Sequence, residues 1–340
     1  MLWEELAALI AAECRSHKLG FPDGHEANCS EQQMLQVINT IIPVFAVILL
    51  GLALRSRELL PVHLLGPLNR LVYYLAIPAM IFREVARAEF QAHFHPLLLA
   101  GTLVPVVIMF LFGLGIGRFY GISPRQMGTF LQSSFHGNLG YIALAIAYYL
   151  LGEDGFTSAS ILAGFLMLLQ NFLAVLGLQM FVQGPGEGRR SMLFMKKILG
   201  NPVVLGALSG ILFSTLKIPI PEIIDNSLKI IGGMALPLAL LVIGASLSFK
   251  LLRSHFRLAF AAGLLKLFLL PGLGLLLYLA LRIPSGQFLP GLILLASPTA
   301  TITYVMASEM QGSPDLATAA VSMNTLLSAL TFVLWLSPFT

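Results

Sequence analysis

From residue 35 onward the chain alternates between long apolar runs and short polar punctuation. A helix needs about 20 apolar residues to cross the hydrocarbon of a bilayer. Ten segments approach or exceed that length: 35–54, 64–84, 96–118, 125–150, 156–182, 198–216, 223–248, 255–281, 287–309 and 315–336. Turn-forming clusters separate several of them, among them Gly152-Glu153-Asp154-Gly155, Gly184-Pro185-Gly186, Ile218-Pro219-Ile220-Pro221 and Gly312-Ser313-Pro314-Asp315. The pattern predicts an all-α polytopic membrane protein.

The punctuation repeats. Pro43, Gly51 and Pro78 in the first half recur at one constant offset as Pro202, Gly210 and Pro237 in the second. The longest hydrophilic connector, 183–197, carries Arg189, Arg190, Lys196 and Lys197 and divides the two copies. Five spans per copy is an odd number, so the second copy must be inverted relative to the first. The expected organisation is an N-terminal extension over 1–33, a five-helix repeat over 34–182, a cytoplasmic connector over 183–197 and a second five-helix repeat over 198–340. Internal duplication with Pro/Gly-interrupted helices is a mark of secondary transporters, because broken helices expose backbone to a solute.

Composition supports bilayer solvent. Charged residues make up 11%, hydrophobic residues 57%, and mean hydropathy is +0.86, against about 25% charged and 45–50% apolar in soluble domains. The formal charge of +4 is small and spread over loops, and points to no nucleic-acid partner. Twelve lysines and arginines fall in loops on the side of the connector and seven on the other, with Lys266 inside a span. That bias predicts a cytoplasmic connector and both termini outside a plasma (inner) membrane. The first 33 residues lack the shape of a signal peptide, with Glu4 and Glu5 where a basic region belongs, and Met34 stands where translation could also begin. Cys14, His17, His25 and Cys29 match no zinc-binding spacing, so no metal site is expected.

Two spans are unusual. The fourth reads Gln132-Ser133-Ser134-Phe135-His136-Gly137-Asn138-Leu139-Gly140-Tyr141, and the ninth Ala296-Ser297-Pro298-Thr299-Ala300-Thr301-Ile302-Thr303-Tyr304. They occupy equivalent places in the two repeats and concentrate small and hydroxyl residues where a lipid-facing helix carries Leu, Ile and Val. Gly and Pro free backbone groups there, at several kcal/mol per unsatisfied group in hydrocarbon, so such breaks must be buried in protein or line a wet cavity. Two breaks at symmetric depth predict broken helices crossing near the midplane, their half-helix N-termini offering donors to an anion. The alternative is an ordinary small-residue packing seam between helices.

Lys266 lies roughly 13 Å into the eighth span at 1.5 Å per residue, and an intramembrane cation is a functional hypothesis by default. It reads as a counter-charge for an anion or as a fixed positive charge holding the broken helices, against the alternative of a lysine snorkelling to the interface. The acidic residues lie in the tail, in loops or near span ends, so no carboxylate relay is evident. His136 is the one histidine inside a span break, suited to a proton-coupled step or to hydrogen-bonded packing. Gln170, Asn171 and Asn324 are further polar candidates. The spans hold no Ser/His/Asp set, HExxH or paired aspartates, which argues against an enzyme.

Several stretches resemble the auxin efflux carrier family of bacterial and plant transporters. They are Ile42-Pro43-Val44-Phe45 with Gly51, Asn69-Arg70-Leu71-Val72-Tyr73-Tyr74 with Ile77-Pro78, Asn138-Leu139-Gly140-Tyr141, and Gly200-Asn201-Pro202. They continue with Leu236-Pro237-Leu238-Ala239-Leu240 and Gly244, Lys266 with Pro271, then Ser297-Pro298-Thr299-Ala300 with Tyr304 and Ala307. The likeness covers residues 35–336 in consistent order. It implies a ten-helix inverted-repeat carrier with scaffold and transport domains, the fourth and ninth helices crossing, and organic anions such as malonate, malate or auxin-like indole acids as substrates. One departure stands out: relatives often carry proline seven residues after the asparagine matching Asn138, where this chain has Ala145. The fourth-span break is then expected to rest on Gly137 and Gly140.

The resulting expectation is a secondary active carrier of small organic anions working by alternating access. The substrate-binding set is His136, Gly137, Asn138, Gly140, Lys266, Ser297, Pro298, Thr299, Thr301 and Asn324, with hinges at Pro43, Pro78, Pro202 and Pro237. No cofactor is expected; Na+ or H+ is the candidate coupling ion, and a homodimer is compatible with the sequence. The alternative is a sodium-coupled, bile-acid-symporter-like carrier of a different organic solute, which sodium dependence would distinguish.

Overall fold

Apolar runs of this kind satisfy their backbone locally as helices, and the computed structural model, which describes residues 26–88, 95–181 and 200–340, is built of helices joined by short turns. The connector 183–197 and the cluster Cys14, His17, His25 and Cys29 lie outside the residues whose side chains are described. In chain order the helices are α1 (Glu26–Ser56), α2 (Val62–Leu71), α3 (Ile77–Arg87), α4 (Pro96–Phe119), α5 (Pro124–Phe135), α6 (Leu144–Gln179), α7 (Pro202–Thr215) and α8 (Glu222–Gly233). They continue with α9 (Ala235–Ser246), α10 (Phe249–Ser254), α11 (Phe256–Leu264), α12 (Leu270–Ala280), α13 (Ser285–Ala296), α14 (Ile302–Glu309) and α15 (Pro314–Leu336). The boundary expected between residues 33 and 34 falls inside α1.

Seven helical stretches among the described residues are long and apolar enough to cross a membrane: Met34–Ser56, His63–Arg87, Pro96–Phe119, Leu139–Gln179, Glu222–Ser246, Phe256–Ala280 and Pro314–Leu336. Pro202–Thr215 and Ser285–Ala296 are apolar but shorter. Leu139–Gln179 is too long for one crossing at about 1.5 Å per residue. It turns at Gly152, whose φ of 70° is open to glycine and costly for a residue with a Cβ. The expected spans 125–150 and 287–309 are each interrupted, which is why neither forms one long helix.

Three π-helical turns interrupt the spans, two of them beside prolines. Val72–Ala76 and Leu265–Leu269 each end two residues before a proline, Pro78 and Pro271. Proline has no N–H and its ring crowds the carbonyl four residues back, so the preceding turn widens. The third, Leu139–Ala143, also ends two residues before the position at issue, here Ala145. The widened turn persists without the proline.

The helices form two packing groups. One joins α1 to α9, and α3 to α7 and α8; the other gathers α4, α5 and α6 with α11 through α15. In the first group Gly51 of α1 lies so close to α9 that a Cβ would fall 2.2 Å from the Leu241 carbonyl oxygen, and at Gly210 of α7 a Cβ would lie 3.1 Å from the Phe82 oxygen of α3. The 159-residue offset relating Gly51 to Gly210 also relates Phe82 to Leu241. The same offset relates two further contacts: Arg55 Nη1 donates to the Leu247 carbonyl, and Ser214 Oγ to the Ala88 carbonyl. A bidentate ion pair ties α3 to α8, with Arg83 Nε 2.9 Å from Asp225 Oδ1 and Nη2 3.1 Å from Oδ2.

Candidate functional site

Helix α5 stops at Phe135. His136 and Asn138 leave helical geometry (ψ 101° and 73°), and the chain resumes in the π turn at Leu139. Helix α13 stops at Ala296, Ser297 is extended (ψ 145°), and α14 begins at Ile302. The two interruptions meet as a single antiparallel bridge between Gly137 and Thr299. Asn138 N donates to the Pro298 carbonyl at 2.7 Å and Ala300 N to the His136 carbonyl at 2.9 Å. Backbone groups that each helix cannot use are thus spent on the other break.

Side chains complete the junction. Thr299 Oγ1 donates to the Ser133 carbonyl at 2.8 Å and accepts from Asn324 Nδ2 at 2.6 Å. Ser297 Oγ donates to the Leu294 carbonyl, and Lys266 Nζ, fully buried, donates to the Leu295 carbonyl at 2.7 Å. From α6, Gln170 donates through Nε2 to the Phe135 carbonyl and accepts through Oε1 from Gly137 N. The His136 ring stacks on Phe135, and its Nδ1 lies 3.1 Å from Gln132 Nε2, which also reaches Met306 Sδ.

The expected set therefore divides. His136, Gly137, Asn138, Ser297, Pro298, Thr299, Lys266 and Asn324 come together at the crossing through these bonds. Thr301 is half-buried at the N-cap of α14, where its side chain caps nothing. Gly140 sits inside the π turn, where a Cβ would meet nothing closer than 3.6 Å. At Gly137 a Cβ would lie 2.3 Å from Ser297 Oγ, so of the two glycines Gly137 is the one crowded by the other break. Of the hinge candidates, Pro78 opens α3 and Pro202 opens α7, while Pro43 and Pro237 lie on exposed faces of α1 and α9.

The junction is enclosed by protein in this conformation: Asn138 is 5% exposed and Thr299 not at all. Even so, Asn138 Nδ2, Gln132 Oε1 and Asn324 Oδ1 are buried with no hydrogen-bond partner among the described residues. A surface cavity of about 530 Å³ opens at the far ends of the half-helices, between the start of α5 and the end of α14, lined by Pro124, Arg125, Phe181 and Gln311 among others and by none of the junction residues. Gln170 stands in the sequence only as a further polar candidate, and Gln132 only as the first residue of the unusual fourth-span stretch; neither carries a local signal of the partner it meets here.

Residues 36–336 match the family described as "Membrane transport protein". A Rhizobium meliloti protein named "Putative malonate transporter" is 26% identical, covering 88% of this chain and 94% of that protein. An "Uncharacterized transporter" of Methanothermobacter thermautotrophicus is also 26% identical, over 87% of this chain and 96% of its own length. "Uncharacterized transporter YfdV" of Escherichia coli is 21% identical, over 88% and 96%. With the family pattern running across nearly all of the helical region, and with relatives named as transporters, the chain is a multi-pass membrane protein belonging to this membrane transport family, the auxin efflux carrier family that its motifs resemble.

Proposed function

We propose that the chain is a secondary active carrier of small organic anions, carboxylates of the malonate, malate or auxin-like type, working by alternating access in the plasma membrane. Its architecture in this reading is ten spans in two inverted repeats, with a cytoplasmic connector and both termini outside. The contacts shared at one 159-residue offset, Gly51–Leu241 with Gly210–Phe82 and Arg55–Leu247 with Ser214–Ala88, support the duplication. The group containing α1, α3, α7 and α9 would serve as scaffold, and the group carrying both breaks would move against it.

The observation that carries the substrate class is the Asn138 amide: a buried donor with no partner, held at the junction of two broken helices. A carboxylate oxygen accepts what Asn138 Nδ2 offers, and Lys266 on the neighbouring π turn supplies positive potential in a region of low dielectric. The relative named for malonate supports a short dicarboxylate as first probe. In proteoliposomes, labelled malonate or malate uptake should be abolished by Asn138→Ala while the protein remains folded and inserted. Wild-type rates in that variant would remove Asn138 from the site. Running the assay with and without sodium and across a proton gradient identifies the coupling ion.

A further inference from the structure

We propose that Gln170 is a positioning residue whose side-chain amide stands in for a missing peptide group and holds the α5 break in its working shape. The inference rests on the carrier reading above and adds to it a residue that contacts no substrate.

The hydrogen bonds show how the need arises. In an unbroken helix Gly137 N would donate to the Ser133 carbonyl, four residues back, but at the break Gly137 N turns away and that carbonyl accepts from Thr299 Oγ1. The Phe135 carbonyl would accept from Leu139 N, but Leu139 N donates to the Gly137 carbonyl instead. One donor and one acceptor are left inside a buried region. Gln170, itself 0% exposed, meets both: Oε1 accepts from Gly137 N at 3.2 Å and Nε2 donates to the Phe135 carbonyl at 3.1 Å. A primary amide is the side chain that offers one acceptor and one donor in a single plane, as a peptide does. Leucine of similar volume would fill the space and leave both backbone groups orphaned, and asparagine is one methylene short. With Gly137 N and Phe135 O turned toward α6, the His136 carbonyl and Asn138 N face the other way, to Ala300 and Pro298. Gln170 thereby sets the direction in which the break presents Asn138.

Two variants test this. Gln170→Leu should expose the Gly137 amide to hydrogen exchange at least about ten-fold faster than in the wild type, reflecting the lost bond, and should reduce malonate uptake by a similar or larger factor. Gln170→Glu reproduces the amide when its carboxyl is protonated, with C=O accepting from Gly137 N and O–H donating to the Phe135 carbonyl. Its uptake should approach wild type at acid pH and fall as pH rises through titration of the introduced carboxyl. His136 and Lys266, the other titratable groups at the crossing, couple to the introduced carboxyl, so hydrogen exchange at Gly137 is followed across the same pH range and should accelerate together with the loss of uptake. Wild-type protection of Gly137 in Gln170→Leu, or a Gln170→Glu profile parallel to wild type, overturns the proposal. If Gln170→Leu does not fold, the Gln170→Glu profile decides. If the wild type moves none of these anions, the carrier reading fails while hydrogen exchange at Gly137 still decides the role of Gln170.

Discussion

Lys266 Nζ donates to the carbonyl oxygen of Leu295 at 2.7 Å, and neither residue is exposed. Leu295 is the penultimate residue of α13, so its carbonyl has lost the helical partner that an unbroken ninth span would provide at Thr299. No ion pair to Lys266 occurs among the described residues; the close pairs join Arg83 to Glu84 and Asp225, and Arg87 to Asp225. The Lys266 side chain is therefore held by a carbonyl and has no carboxylate partner among the described residues.

Replacing Lys266 with methionine keeps the stem and deletes the charge. Anion uptake should fall by about 100-fold, the factor expected when one member of a desolvated charge pair is removed. The apparent melting temperature in detergent should hold or rise, because a buried cation is costly to the fold. Uptake at the wild-type rate would show that the ammonium serves packing alone.

Gly137→Ala places a methyl group against Ser297 Oγ and should destabilise the crossing by about 1–3 kcal/mol, the usual cost of overpacking. Adding Ser297→Ala to the same chain removes the clashing atom and should recover most of the loss. Gly140→Ala, whose methyl group would meet its neighbours at ordinary van der Waals distance, should be near neutral. Thermal unfolding of the four proteins orders these effects directly.

Thr299 and Asn324 should behave as a coupled pair. Thr299→Val deletes the donor to the Ser133 carbonyl and strands Asn324 Nδ2, so it should cost about 2–3 kcal/mol. Asn324→Leu alone loses one bond. In a double-mutant cycle by denaturant or heat, the coupling should be about 1 kcal/mol or more, the range for residues sharing a network. Additive effects would mean that the 2.6 Å contact contributes nothing to the fold.

Much of the membrane architecture is visible in the chain as written. The apolar runs at 64–84, 96–118 and 315–336 become helices at nearly those limits because hydrocarbon leaves the backbone no other local solution. The breaks at 136–138 and 297–301 were legible because small, hydroxyl and Gly/Pro residues stand where helix-forming apolar residues would otherwise run.

What no local pattern carried was the choice of partner. Gly137 and Gly140 look alike in the chain, and only the approach of Ser297 from α13 crowds one of them. Gln170 lies more than thirty residues from Phe135 and Lys266 nearly thirty from Leu295, so no helical period links them. Short-range sterics and hydropathy, acting within a turn or a span, were enough to set the spans and their interruptions. Which buried amide or ammonium answers which orphaned carbonyl depends on how each helix is rotated about its axis and packed against its neighbours, and only the tertiary structure decides that.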